Sequence, residues 1–427
     1  MVWYMLLMVM SVFMGSEIMA VSLPFGQITI YRILVLGLLP LLILAIGRQD
    51  QKLTIDRQSY ANFSVGVYII WLLVGLVSVI WAVQVTAWIK GIFLLTLGVL
   101  AIVGLYTWVN KFFDWQLIFK GAWLMMTLLT LWGLTEIVTN TYLFADLATL
   151  DKYRTFASQP WTRIPITHFT NQNDFATMQL AYLASNGVIY HLTRTRGIKI
   201  VTVLMTALSL FLIFQSGSRM SLLMGLAYFL ILILLQFKWD FKKHHYILAV
   251  LGLLVLVSAV WLLVPSIRSS LSSLYYTGQP GRIYGDTARV NMWRNGLIFL
   301  GQTLGFGVGA GNLPFWLEHY APLPINKIYN IHNWWLEILV GYGWLVFALY
   351  LVMYGLVLYR LNQVRHRQNS SKRQVTNALM TFMIIFIPAS ITSANNMMIE
   401  WHWIFFGLII SYLHIMEKEY LINRRTR

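Results

Sequence analysis

The sequence predicts an all-α, polytopic integral membrane protein with about twelve transmembrane helices. Of its 427 residues, 58% are hydrophobic and only 11% are charged, far from the composition of a soluble globular protein. The chain contains many apolar runs of about 20 residues, the length that crosses a hydrocarbon core. Lysine and arginine are concentrated in alternate connections between these runs, the pattern of a protein that keeps its positive charge on one membrane face.

Twelve apolar segments are predicted to span the membrane, and they form a single transmembrane domain over residues 1–427. The first span has neither a cationic start nor a small-residue cleavage site, so we expect it to be retained rather than removed as a signal peptide. The spans are 3–20, 28–46, 61–82, 88–108, 118–139, 173–193, 198–215, 219–237, 246–264, 331–359, 375–394 and 399–416.

The orientation follows from the basic residues. With the N-terminus inside, most of the 31 lysines and arginines lie in connections assigned to the inner face. The positive-inside rule therefore predicts a multi-pass protein of the cytoplasmic membrane with both termini cytoplasmic. The net charge of +16 faces anionic lipid headgroups and does not require nucleic acid as a partner. Because the chain has no cysteine, disulfides, thiolate metal sites and cysteine nucleophiles are excluded.

This orientation leaves two long outer loops, a smaller one at 140–172 and a larger one at 265–330. Loops beyond about 15 residues in a compact protein are usually functional or disordered. The larger loop is rich in aromatic residues, so we expect packed structure that lies against the membrane. Within it, Asn291–Thr303 is predicted to form a short amphipathic helix with an apolar face of Trp293, Leu297, Ile298 and Leu300.

Basic side chains assigned to the outer half are candidate anion ligands, because the positive-inside rule depletes these positions. Arginine presents a planar fork of donors to phosphate oxygens and stays charged when partly desolvated. Several such residues around one cavity would hold a pyrophosphate without a metal, and no residue cluster has zinc-site spacing. Alternatively, each cation reaches lipid headgroups or pairs with an acid, as Arg289 could with Asp286. The candidates are Arg32, Lys90, Arg219 with its neighbour Ser218, Arg289 and Arg294.

His332-Asn333 stands at the start of a predicted transmembrane helix, directly after the larger outer loop. Histidine accepts a proton near neutral pH, and the positive end of a helix favours the neutral imidazole that a general base requires. An interfacial histidine satisfied by water or headgroups is the alternative. Glu337 follows in an apolar run and has to face inward, either to orient His332 or to pair with an arginine such as Arg289.

Alternating glycines run from Gly305 to Gly311 and include Gly307 and Gly309. They would let backbone N–H groups approach an anion or a sugar, or they would form a tight turn that re-enters the membrane. No Lys-Ser/Thr pair follows, which excludes a P-loop.

Two further segments are predicted to lie at helix starts. Phe169–Asp174 is predicted to cap the helix of span six, and Glu400 and His402 to lie in an interfacial aromatic belt.

Three separated motifs, in this order, resemble the O-antigen ligase and polysaccharide polymerase superfamily of bacterial envelopes. They are Ser216-Gly-Ser-Arg219, Asp286-x-x-Arg289 leading to Gly305–Gly311, and His332-Asn-Trp-Trp-Leu-Glu337. The segments Val77–Ala82 and Asn171–Ala176 are similar as well, so the resemblance covers nearly the whole chain.

The resemblance implies a GT-C-like, metal-independent glycosyltransferase without a cofactor, whose active site is extracytoplasmic. Arg219 and Arg289 would bind the pyrophosphate of a polyprenyl-linked oligosaccharide donor, and His332 would deprotonate the hydroxyl of a glycan acceptor for an inverting attack. We expect a polymerase of lipid-linked repeat units whose partners are membrane lipid, a flippase and a chain-length regulator. The alternatives are a ligase that transfers finished glycan to a lipid or protein and, in a different class, a transporter or flippase of lipid-linked sugars.

Overall fold

The computed structural model describes residues 1–15, 20–23, 26–47, 59–144, 163–236, 285–325, 329–391, 397 and 399–425. The predicted ninth span, 246–264, lies outside these residues, and every other predicted span overlaps a helix. Within the described ranges, six helices are long and apolar enough to cross a membrane. A helical membrane protein is therefore confirmed, whereas the count of about twelve spans stays a prediction.

The chain begins with α1 (Val2–Ser11), which a short 3-10 helix, Val12–Met14, extends. Gly15 follows with a φ of 69°, in the left-handed region that favours glycine, and residues 16–19 of the predicted first span lie outside the described residues. A small antiparallel hairpin of β1 (Ala20–Leu23) and β2 (Gly26–Thr29) comes next, with Ala20 opposite Thr29. This hairpin is an exception to the all-α prediction.

The helices that follow form a bundle. Before the larger loop they are α2 (Ile30–Leu36), α3 (Leu38–Gly47), α4 (Tyr60–Val77, continued by the 3-10 turn Ser78–Ile80), α5 (Val85–Trp108), α6 (Phe112–Thr139), α7 (Gln172–Leu192), α8 (Arg196–Gln215) and α9 (Arg219–Gln236). After it they are α10 (Gly285–Gln302), α11 (Leu313–His319), α12 (Trp334–Arg365), α13 (Ser370–Ala389) and α14 (Glu400–Arg425). As predicted, α7 is capped, since the Asn171 side chain accepts from the N–H of Asn173 at 2.6 Å.

Contacts between the helix ends define two ends of the bundle. At one, Arg360 of α12 pairs with Glu417 of α14 (Nε to Oε1 2.9 Å), and Ser59, just before α4, donates to the same carboxylate at 2.7 Å. At the other, the N–H of Trp334 at the start of α12 donates to the carbonyl of Ser390 after α13 at 3.1 Å. We call the first the basic end and the second the opposite end.

Cations assigned to the inner face by sequence lie at the basic end. Among the described residues, these include Lys111, Arg194, Arg196, Lys199, Arg360, Arg365, Arg367, Lys372 and Arg373. This segregation is the one that the positive-inside rule predicts for a cytoplasmic basic end. The orientation in the membrane itself stays a prediction.

An aromatic seam between α4, α12 and α14 forms the core of the bundle. The ring centroid of Trp71 lies 5.7, 5.5 and 5.6 Å from those of Trp334, Tyr350 and Trp403, and all four side chains are fully buried. Each such pair contributes about 0.5–1.5 kcal/mol beyond the area that it buries. The indole N–H of Trp334 donates to the Tyr350 hydroxyl at 3.0 Å. The seam therefore holds the start of α12 in place.

The described part of the larger loop, 285–325, is packed, as predicted. However, α10 starts earlier than expected, and its predicted apolar face is partly wrong, because Leu297 is 50% exposed and Ile298 38%. The helix packs on α12 and on the loop before it, and this contact decides which side is buried. The buried side includes Ala288, Met292, Asn295 and Phe299, together with Leu300 of the predicted face.

Candidate functional site

Asn333 positions the start of α12 as an N-cap. Its side-chain oxygen accepts from the N–H of Trp335 at 3.1 Å and from that of Leu336 at 3.3 Å. These bonds satisfy two of the donors that a helix start leaves unpaired. The supporting role predicted for Asn333 has this structural basis.

His332 precedes this cap and has a φ of 50°, in the left-handed region that non-glycine residues rarely adopt. Neighbouring contacts hold it there: the indole N–H of Trp293 on α10 donates to the carbonyl of Ile331 at 2.9 Å. Backbone strain of this kind costs about 1–3 kcal/mol and concentrates at functional sites. The geometry therefore supports a working role for His332.

The alternating glycines form a loop that docks into a break in α12. Gly343 interrupts that helix with a φ of 82° and a ψ of 179°. The N–H groups of Val308 and Gly309 donate to the carbonyls of Val340 and Gly341, at 2.8 and 3.1 Å. Broken helix backbone in a membrane needs such partners, because lipid offers none. These bonds favour the tight-turn interpretation over an anion cradle, since both N–H groups bond to the protein itself.

The glycine loop also contacts the junction of α4 and α5. The N–H of Ala310 donates to the Ser78 hydroxyl at 3.1 Å, and the indole N–H of Trp81 donates to the carbonyl of Gly307 at 2.9 Å. These contacts explain physically why Val77–Ala82 accompanies the glycine motif in the sequence.

A cavity of about 230 Å³ opens where α5, α12 and the glycine loop meet. Lys90 of α5 and Glu337 of α12 bring opposite charges to its lining, and Tyr342 of α12 adds an aromatic ring. Asn330 lines it two residues before His332, while Gly309 and Gly311 line it from the glycine loop. The cavity combines a cation, a carboxylate, an amide and an aromatic ring, groups that bind sugars by hydrogen bonds and ring contacts.

Arg289 lies half-buried on α10, one turn before Trp293. Four residues separate Arg289 from Trp293, which is a rise of about 6 Å along the helix axis. Trp293 in turn donates to the carbonyl of Ile331, the residue before His332. Arg294 is exposed on the same helix. The side chain of Asp286 lies outside the described part of the structure, so its pairing with Arg289 stays a prediction.

Arg219 is exposed at the start of α9, after a tight turn. Gly217 has a φ of 69°, the Ser218 N–H donates to Ser216 Oγ at 3.2 Å, and the Ser218 hydroxyl donates to Ser221 Oγ at 3.0 Å. The turn lies at the opposite end of the bundle, because the far end of α9 contacts Arg365 at the basic end. The structure thus brings Arg219, Arg289 and His332 to one end, although none of the three lines the cavity.

Arg32 forms an ion pair with an acid, the alternative to anion binding that the sequence left open. Its Nε lies 2.6 Å from Oε1 of Glu400, and both side chains are largely buried, at 12% and 14% exposure. His402 is buried against the aromatic seam, with its ring centroid 4.9 Å from that of Trp334, and its interfacial position stays a prediction.

Two other histidines outside the spans lie at the same end. Burial lowers the pKa of His168 to about 4, too low for an efficient base near neutral pH. His319 is exposed on α11 and stacks on Phe315, with centroids 4.2 Å apart. Of these and His332, only His332 directly follows residues that line the cavity, Asn330 and Ile331.

Comparison with known proteins tests the resemblance. A family described as O-antigen ligase matches residues 204–351, which include all three motifs. The predicted resemblance to the O-antigen ligase and polysaccharide polymerase superfamily is confirmed. The chain is also similar to the teichuronic acid biosynthesis protein TuaE of Bacillus subtilis (strain 168), to which it is 28% identical over 421 residues. The match covers 95% of this chain and 83% of the relative.

Two features of the site were not predicted from the sequence. The predicted span 331–359 is continuous, whereas Gly343 breaks the helix beside the cavity. Tyr342 and Asn330, which line the cavity, were not among the predicted site residues. The pair Gly341 and Gly343, two residues apart inside an apolar run, was the available signal, since glycine in a span often marks irregular backbone.

Proposed function

We propose that the protein polymerises polyprenyl-pyrophosphate-linked oligosaccharide repeat units into a surface polysaccharide at the outer face of the cytoplasmic membrane. One observation carries this proposal: the matched segment gathers His332, Arg219 and Arg289 at one end of the bundle, with His332 beside a cavity. The relative's role in teichuronic acid biosynthesis supports an acidic polysaccharide as the product.

In the proposed reaction, the acceptor hydroxyl oxygen attacks the anomeric carbon of the donor while the His332 imidazole takes the hydroxyl proton. The bond from the anomeric carbon to the pyrophosphate oxygen breaks, and the polyprenyl pyrophosphate leaves with the electron pair. Arg219 and Arg289 neutralise the charge that develops on this leaving group, which makes a metal ion unnecessary. Attack from the face opposite the leaving group inverts the anomeric centre.

The supporting residues position Arg219, His332 and the glycine loop. Ser218 holds the turn that presents Arg219, and Asn333 caps the helix behind His332. Gly307 and Gly309 allow the glycine loop to dock against α12, where an added Cβ at Gly307 would lie 2.8 Å from the carbonyl oxygen of Val340.

A ligase is the second candidate, because the matching family is described as O-antigen ligase. It would use the same donor chemistry and differ only in its acceptor.

An assay with the purified full chain in lipid nanodiscs and a polyprenyl-pyrophosphate oligosaccharide tests the proposal. We expect a ladder of lengthened lipid-linked glycans, with the same rate with and without a chelator. Transfer only to an added lipid or protein acceptor would indicate the ligase instead. Movement of lipid-linked sugar across vesicles without any glycan transfer would contradict both enzyme functions.

Replacing Arg219 with lysine is expected to lower the transfer rate by about 10- to 100-fold, and alanine is expected to lower it further. Lysine keeps the charge but presents a point charge in place of the planar fork that bonds two phosphate oxygens. Initial rates of transfer at saturating donor measure the effect. Arg196→Lys, at the start of α8 and at the basic end, is the matched control and should keep full activity. Full activity in Arg219→Lys would remove the bidentate contact from the mechanism.

A further inference from the structure

The cavity lining is sparsely charged, and its charges come from two separate helices. Among its described lining residues, Lys90 is the basic one and Glu337 the acidic one. Lys90 shares one face of α5 with Ala87, Gly91 and Leu94, which also line the cavity at helical spacing. The cavity can therefore distinguish the two ends of a polar ligand.

That face of α5 packs closely on the glycine loop, and Lys90 carries its long, flexible side chain. An added Cβ at Gly91 would lie 2.5 Å from the backbone nitrogen of Gly311, so α5 and the glycine loop touch through backbone there. Lys90 itself is exposed and makes no ion pair with any described residue. Its flexible stem and compact ammonium group can therefore meet a ligand anion without first breaking a pair with any of these residues.

The position of the cavity indicates that it binds the acceptor rather than the donor. Asn330 and Ile331 line it, and His332, the proposed base, follows directly. A base has to lie within hydrogen-bond reach of the hydroxyl that it deprotonates, so a sugar in the cavity is placed to present that hydroxyl. The volume of about 230 Å³ gives room for one sugar ring.

We propose that this cavity holds the terminal sugar of the acceptor and that Lys90 selects an acidic sugar by binding its carboxylate. Glu337 accepts a hydrogen bond from a hydroxyl of the same ring, so the two charges set its orientation. The same carboxylate repels a ligand carboxylate placed at the wrong end, which adds to the discrimination. This inference rests on the proposed glycosyl transfer and names the substrate class of that site, a sugar that carries a carboxylate.

Two synthetic acceptors test the inference with the full chain in nanodiscs. Both are short-tailed lipid-linked disaccharides; one ends in a hexuronic acid and the other in its carboxyl-reduced hexose. The donor is a long-chain polyprenyl-pyrophosphate oligosaccharide without acidic sugars, so a change in the carboxylate affects only the acceptor.

We expect the wild-type protein to use the acidic acceptor about two- to fivefold better, the range for an exposed ion pair. Lys90→Gln should bring the ratio of the two rates close to one, Lys90→Arg should preserve the preference, and Lys90→Glu should reverse it. Lys111→Gln at the basic end is the control and should keep the wild-type ratio.

Two outcomes would overturn the inference while leaving the proposed function intact. One is equal use of both acceptors by the wild-type protein. The other is a fall in both rates in Lys90→Gln with the ratio unchanged, which would indicate that Lys90 contacts the donor pyrophosphate instead. If the wild-type protein transferred glycan to neither acceptor and formed no ladder from its donor, the proposed function would fail, and the inference with it.

Discussion

Replacing His332 with asparagine is expected to lower the rate of glycosyl transfer by about 100- to 10,000-fold, the contribution of a positioned general base. Asparagine is the informative substitution because His332 has a φ of 50°, and asparagine tolerates the left-handed region better than most residues. The loop should therefore keep its shape while the proton acceptor is lost. His332→Ala should lose as much activity, with an added conformational cost.

The measurement is the initial rate of lipid-linked glycan lengthening, with donor binding followed in parallel. Binding should change little, because the arginines and not His332 are assigned to the pyrophosphate. His319→Asn is the matched control: this histidine is exposed on α11, and the variant should keep its rate within about twofold. If His332→Asn retained more than half of the activity, the base would have to be another group.

Replacing Gly343 with alanine is expected to undock the glycine loop and reduce the amount of folded protein. Gly343 has a φ of 82°, and an added Cβ would lie 2.5 Å from the carbonyl oxygen of Gly305 and 2.6 Å from that of Phe306. The backbone conformation alone costs about 1–3 kcal/mol for a residue other than glycine. The clash also separates Gly305 from Trp344, whose N–H donates to its carbonyl at 3.0 Å.

Thermal unfolding of the detergent-solubilised protein, followed by the loss of its monodisperse peak, measures this effect. Gly355→Ala lies in the same helix, where an added Cβ meets nothing within 4 Å, and should leave the midpoint unchanged or slightly raised. Equal midpoints for the two variants would show that the break in α12 tolerates a side chain, and that the loop is held by other contacts.

The candidate site was only partly predictable from sequence. His332 and Asn333 could be placed at a helix start because a polar pair between a polar loop and an apolar run is a local pattern. The ion pair of Arg32 with Glu400 could not be predicted from the sequence, because the two residues are 368 positions apart. A local sequence pattern cannot indicate a partner at such a distance along the chain.

The buried side of α10 shows the same limit. Its sequence carries apolar residues on more than one side, so periodicity alone chose Leu297 and Ile298, which are exposed. Packing on Ile331 and Val340, supported by the bond from Trp293 to Ile331, selected Met292 and Phe299 instead.

The sequence by itself determined the helical membrane class, the approximate position of each described span and the resemblance to the superfamily. These depend on run length, charge bias and motif order, which are properties of the chain read residue by residue. Only the tertiary structure decided that α12 breaks at Gly343, that the glycine loop fills the break and that Lys90 and Glu337 share one cavity. The reason is physical: broken backbone in a membrane must find donors and acceptors within the protein, and here they come from distant segments such as Trp81 and Gly307, 226 residues apart.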